Sequence, residues 1–317
     1  MEKIKIFIVK HFEEIIVISI LLSTMAINLF TVHKIAFLQF YYLPVLVSGF
    51  FLGRRMAVLL AFLSILVVVL FMVFYPNFCL QMIVSIGGKS NVIFNLVIWG
   101  SFLLLTAAIV GKLYEEKEKK IRDLHNAYIG ILEILSKYLE SADKYTQGHS
   151  IRVSRLSTDI AIAMELPRNE IENIKAAALL HDIGKIDISL DIIHKASELS
   201  KEEREIINTH PEKGVKIVAS VGGILKEAIP LIMAHHEYFM SQNKSEGERK
   251  DAKTIPLGAR IIAVADAYDA MITDRPYRKG KTPREAAEIV EKASGSQFDP
   301  VVVEAFLRVI SSELEQD

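Results

Sequence analysis

Cysteine is nearly absent from this chain. Cys79 stands alone among 317 residues, which excludes an intramolecular disulfide and any zinc site built on thiolates. Alternating apolar and polar runs of the strand type are also scarce, which argues against a doubly wound sheet. A surplus of basic charge is missing beyond the first 111 residues. Residues 112–317 carry 30 basic and 35 acidic side chains, against 7 and 3 before them. That balance is not the footprint of a domain that binds DNA or RNA, and neither is expected as a partner.

Charge of either sign is absent from four long stretches, 15–33, 35–53, 56–88 and 90–111. Each is long enough to supply the roughly 20 apolar residues that cross a hydrocarbon core. The expected spans are 12–32, 35–53, 56–75 and 91–111. The stretch 76–88 is too short for a fifth and reads as a loop at the interface. A signal peptide does not fit the first segment, because no small-residue cleavage site follows it and three more spans do. Lys3, Lys5 and Lys10 precede span one, Arg54 and Arg55 separate spans two and three, and Lys112, Lys117, Lys119, Lys120 and Arg122 follow span four. Lys34 and Lys89 stand alone on the other side. Basic loops face the cytoplasm, so a multi-pass inner-membrane protein is expected, with both termini cytoplasmic. The spans hold no charge that would mark an ion or ligand site. The membrane region, 1–111, reads as a small sensor or a plain anchor in the lipid bilayer.

A linker, 112–142, carries Ile121, Leu124, Tyr128, Ile131, Leu135 and Tyr138 at spacings of 3, 4, 3, 4 and 3. This is an a/d heptad stripe. It fits either one amphipathic helix packed on the next domain or a parallel coiled coil that makes a homodimer. From 143 to 317 helical periodicity dominates, so the fold class is all-α. Ser200 with Glu203 forms a capping box ahead of a helix. "TPRE" and "DPVV" each place proline at a first helical position. "LKEAIPLIMAHHE" reads as a further helix.

The run "AALLHDIGKI", 177–186, ends an apolar helix in His181 and Asp182. Buried without partners, an imidazole and a carboxylate cost several kcal/mol, on the order of the penalty for any unpaired polar group. Either a hydrogen-bonded pair or a metal must satisfy them. His149, His210, His235 and His236 likewise sit at helix ends or beside another ligand-type residue, and Asp266 joins them. The intervals 181 to 210, 210 to 235 and 236 to 266 are 29, 25 and 30 residues. Each is about one helix plus a turn, so successive helices could offer ligands to one centre. Histidine and carboxylate without cysteine suit Fe, Mn, Ni or Zn alike. Two such ions bridged by a carboxylate form a clamp for phosphodiester hydrolysis.

In order, "DKYTQGHSIRVSRLS", "AALLHDIGKI", "THPEKG", "MAHHE", "IPLGARIIAVADAYDAMITDRPYR" and "FDPVVVEAF" closely resemble the HD-GYP domain, a branch of the HD phosphohydrolase superfamily, over roughly 128–311. The resemblance implies a helical bundle with a two- or three-metal centre that hydrolyses cyclic di-GMP. It implies that His181, Asp182, His210, His235, His236 and Asp266 are metal ligands, with Asp182 bridging and His149 a further candidate. It implies that Lys185 faces a substrate phosphate and stabilises its charge, and that Asp269, Arg275 and Arg278 help bind the nucleotide. Two departures stand out. No Gly-Tyr-Pro follows the His-His-Glu block, which reads "HHEYFMSQNKSEGERKDAKTIPLGAR". Tyr145 stands where three-metal members carry glutamate, which favours two ions. The expected activity is that of a membrane-bound cyclic di-GMP phosphodiesterase. The alternatives are a cyclic-dinucleotide receptor without turnover and a phosphohydrolase of another nucleotide.

Overall fold

A computed structural model describes residues 11–30, 38–75, 80, 82–84, 87–141, 147–193, 195, 200–240, 254–274 and 279–314. Among these residues there is no strand, only an isolated bridge between Ser294 and Phe298. The all-α expectation holds. The chain divides into two compact units, Met1–His125 and Asn126–Asp317.

The first unit contains α1 (Phe12–Phe30), a 3-10 turn (Gln39–Tyr41), α2 (Tyr42–Phe51), α3 (Gly53–Phe74) and the beginning of α4 (Lys89–Glu140). On α3 the small residues Ala57, Ala61 and Ser64 are buried in line with Val68. Trp99, Leu103 and Ala107 of α4 belong to the same cluster. A Cβ on Gly111 would come within 2.3 Å of the Arg54 Cα, so α3 and α4 touch there through bare backbone. Trp99 Nε1 donates to the Leu38 carbonyl at 2.9 Å. Leu59, Phe62, Leu66, Phe94, Val97 and Phe102 are exposed. Small residues inside and large apolar ones outside are the pattern of helices packed in lipid. Among the described residues two helices, α3 and α4, are long and apolar enough to cross a membrane. Of the expected span 35–53 the described part is the 3-10 turn and the 10-residue α2, which is closed by left-handed Gly53 (φ 79°). At 1.5 Å per residue α2 alone is about 15 Å long, half a hydrocarbon core. Cys79 and Tyr145 lie outside the described residues.

The expected linker has no start of its own. It continues span four in a single 52-residue helix, α4. Most of its heptad stripe lies off the face that packs in the second unit: Ile121, Leu124, Ile131, Leu135 and Tyr138 are exposed, and Tyr128 alone of the six packs against the core there. A second stripe, Ile129, Leu132, Ser136 and Glu140, is buried instead. At 100° per residue it lies roughly a third of a turn around the helix from the first.

The second unit continues with α5 (His149–Ala163), α6 (Arg168–Leu180), a 3-10 turn (Ile183–Asp187), α7 (Leu190–Ile193), α8 (Lys201–Ile207), α9 (His210–Ala219), a 3-10 turn (Gly223–Leu225), α10 (Ile229–Ala234), α11 (Leu257–Ile272), α12 (Pro283–Lys292) and α13 (Pro300–Leu314). Helix α5 is packed by α6, α11 and α13 around Ile160, Ile261, Phe306 and Ile310. The Ser200–Glu203 capping box forms, as does a second between Thr282 and Glu285. "LKEAIPLIMAHHE" does not make one helix. Pro230 lacks an N–H to continue a preceding turn, so it sits at the start of the six-residue α10. Helix α9, with Pro211 in its first turn, was not foreseen in the periodicity.

Phe306 is fully buried and meets Tyr268 of α11 edge-on at 5.0 Å. Phe306→Ala should therefore cost about 3–5 kcal/mol, read as a lower denaturation midpoint of the full chain. A loss under about 1 kcal/mol would mean that the packing behind α11 is slack.

Candidate metal centre

The site is built at helix ends. His181 caps the C-terminus of α6, Asp182 opens the 3-10 turn, His210 begins α9, His235 caps α10, and Asp266 lies in α11. Gly184 explains why the first two reach the third. A Cβ on it would lie 1.9 Å from the His210 carbonyl oxygen and 2.5 Å from the Gly214 nitrogen. Only a residue without Cβ lets the turn press on α9.

Three histidines are held in the same way. Nδ1 of His181, His210 and His235 meets the carbonyl three residues earlier, of Ala178, Ile207 and Ile232, at 2.7, 2.8 and 2.6 Å. That bond puts a proton on Nδ1 and turns Nε2 toward the centre. Burial pushes His210 down to about 4 and His235 well below the ordinary imidazole range, so both are neutral at pH 7. Their Nε2 atoms nevertheless face one another at 3.3 Å. Two lone pairs so close call for a cation between them, and this donor set fits a metal.

Asp182 spans the centre. Its Oδ2 lies 3.5 Å from His181 Nε2, and its Oδ1 lies 3.4 Å from His210 Nε2. Burial opposes its ionisation, but Lys185 and the surrounding histidines outweigh burial and hold the carboxyl well below its usual range. Three groups of ligand atoms, each within 4.8 Å of one another, could hold a metal: His210, His235 and His236; His149, His181 and Asp266; and His181, Asp182 and His235. The seven candidate ligands thus meet in one place. Lys185 sits at the rim, with its ammonium 2.6 Å from Asp182 Oδ2.

Asp269 differs from the role expected of it. It is buried, and both its oxygens are engaged. Oδ2 accepts from His149 Nδ1 at 2.7 Å, and Arg152 grips the carboxylate with Nε on Oδ1 at 2.6 Å and Nη2 on Oδ2 at 2.9 Å. It orients His149, whose Nε2 lies 3.2 Å from Asp266 Oδ1. Burial opposes protonation of His149, but its bonds to Asp266 and Asp269 prevail and raise it to about 10. Arg152 was missed in the sequence. The available signal was its position three residues after His149, on the same helical face. Arg275 and Arg278 lie outside the described residues.

Residues 133–302 match the protein family described as HD domain. A cyclic di-GMP phosphodiesterase of Thermotoga maritima is 38% identical over 180 residues, 56% of this chain and 48% of that one. A cyclic di-GMP phosphodiesterase of Pseudomonas aeruginosa is 33% identical over 172 residues, 54% and 41%. A 3'3'-cGAMP-specific phosphodiesterase of Vibrio cholerae is 30% identical over 186 residues, 58% and 35%. The matched region spans about half the length of the first two relatives or less.

The His149 ion pair gives the metal-free protein a signed pH dependence. Its folded value, about 10, lies above its unfolded value of 6.5. The stabilisation is therefore complete below about pH 6.5 and lost as pH rises through about 10. Chelated protein should melt at falling temperature across that window, and His149→Ala should flatten the fall. An unchanged slope in the variant would remove His149 as its source.

Proposed function

Since this chain belongs to the HD domain family, we propose that it is a metal-dependent phosphodiesterase that opens a cyclic dinucleotide, with cyclic di-GMP as the first candidate. The observation that carries this reading is Asp182, one carboxylate shared between His181 and His210 and so between two groups of ligand atoms. The names of the Thermotoga and Pseudomonas relatives support the substrate class.

In this reading the centre holds two divalent ions, of Fe, Mn, Ni or Zn, which would supply charge for a phosphate and acidify a water. His149, His181 and Asp266 hold one side, and His210, His235 and His236 hold the other. Water adds across one phosphodiester P–O bond and leaves a linear dinucleotide. Lys185 brings a point charge to the phosphate from the rim. Arg275 and Arg278 offer planar forks for phosphate or guanine edges. Asp269 acts through His149. The missing Gly-Tyr-Pro favours a second reading, a receptor that binds the dinucleotide without cutting it.

The membrane region anchors the enzyme in the inner membrane with the second unit in the cytoplasm. In support, α3 and α4 are long and apolar enough to cross a bilayer. The exposed Ile121, Leu124, Ile131, Leu135 and Tyr138 pair α4 with that of a second copy. In support, these residues hold heptad positions and, apart from Tyr128 between them, lie off the stripe buried in the second unit.

The test uses the full chain in detergent. Wild type should carry about two ions and convert cyclic di-GMP to linear product in Mn(II) or Fe(II). Asp182→Ala should lose metal and more than roughly 100-fold in activity, beyond what loss of an outer partner costs. Full metal content in that variant would sink the bridging assignment. Binding without product across a panel that includes 3'3'-cGAMP would establish the receptor reading. Separately, wild type should be dimeric by light scattering, and a Leu124→Glu, Leu135→Glu variant monomeric. A monomeric wild type would end the pairing proposal.

A further inference from the structure

Glu140 is the last residue of α4, and it is only 7% exposed. A carboxylate so placed needs partners. It finds them 8 and 10 residues on: Gly148 N–H donates to Oε2 and Ser150 N–H to Oε1, both at 2.6 Å. These amides flank His149 at the start of α5, where the first N–H groups have no partner within the helix. The N-cap residue, Gly148, has no side chain to satisfy them, and it is left-handed with φ 77°. The cap is therefore supplied by another helix, and its charge also suits the positive end of the α5 dipole.

His149 is thereby held from two sides. Its ring is gripped by Asp266 and Asp269, and its backbone by Glu140. On the ring side Arg152 closes the turn by donating from Nη1 to the Gln147 carbonyl at 3.1 Å. Glu140 lies on the same buried stripe of α4 as Ile129, Leu132 and Ser136. A rotation or shift of that helix end moves the carboxylate, and with it the amides on both sides of His149.

We propose that Glu140 is a positioning residue that ties α4 to the His149, His181 and Asp266 half of the metal centre. The proposal rests on the metal-centre reading above. It makes α4 a mechanical input to metal loading, separate from any residue that touches substrate.

The experiment compares full-length wild type, Glu140→Ala, Glu140→Gln and, as a control on the exposed face one turn earlier, Lys137→Ala. Two quantities are read: amide exchange of the peptide spanning 147–152 in chelated protein, and metal ions per chain after reloading. Glu140→Ala should speed exchange there by about tenfold or more, the loss of a cap being a local opening, and should lower the metal content from two toward one. Glu140→Gln keeps a single carbonyl oxygen, satisfies one amide and should fall between. Lys137→Ala should match wild type. Faster exchange with full metal content would overturn the tie to the centre. Unchanged exchange in Glu140→Ala would overturn the cap itself. A wild type that binds no metal would sink the metal-centre reading, and the exchange measurement would still decide the cap. If Glu140→Ala fails to fold by circular dichroism, Glu140→Gln carries the same comparison.

Discussion

The carboxylate of Asp182 lies between imidazoles that turn their Nε2 atoms toward it, and the second unit is organised to keep it there. A charge taken out of water needs compensation, and here it comes from the Lys185 ammonium, 2.6 Å away, and, more remotely, from His149. Gathering the imidazoles around it requires α6 to stop at Leu180, the 3-10 turn to lie against α9, and α10 to end before His235. Gly184 is the hinge of this arrangement, because any side chain there would meet the backbone of α9.

Around that carboxylate the site has two electrostatic characters. His210 and His235 are neutral, held by carbonyls in one tautomer, and present lone pairs. His149 carries its proton in the absence of metal, between two carboxylates, with Arg152 balancing the outer one. A cation held here would take the place of that proton, whereas on the other side His210 and His235 would offer it neutral imidazole nitrogens. The two halves are thus chemically unlike although their ligands are of similar type.

Helix α4 has two apolar faces, and the second unit uses only one. The buried face ends in Glu140, where packing turns into hydrogen bonding to the start of α5. The other face keeps a heptad spacing of which the second unit takes only Tyr128.

Much of this was legible in the sequence. The absence of strand periodicity, the uncharged stretches, the Ser200 cap, Pro283 at the start of α12, and the seven metal-ligand candidates all follow from local chemistry, because burial, capping and ligand type are properties of a residue and its near neighbours. The sequence alone did not reveal which face of α4 packs, because an a/d stripe looks alike whether it meets its own domain or another copy. Nor did it reveal the engagement of Asp269, which depends on Arg152 lying 117 residues away, or the reach of Glu140 to α5. Those are contacts between helix ends, and helix ends meet only where close approaches such as Gly184 on α9 let them. Local sequence determined the helices and the donor set; tertiary packing decided which oxygen faces which nitrogen.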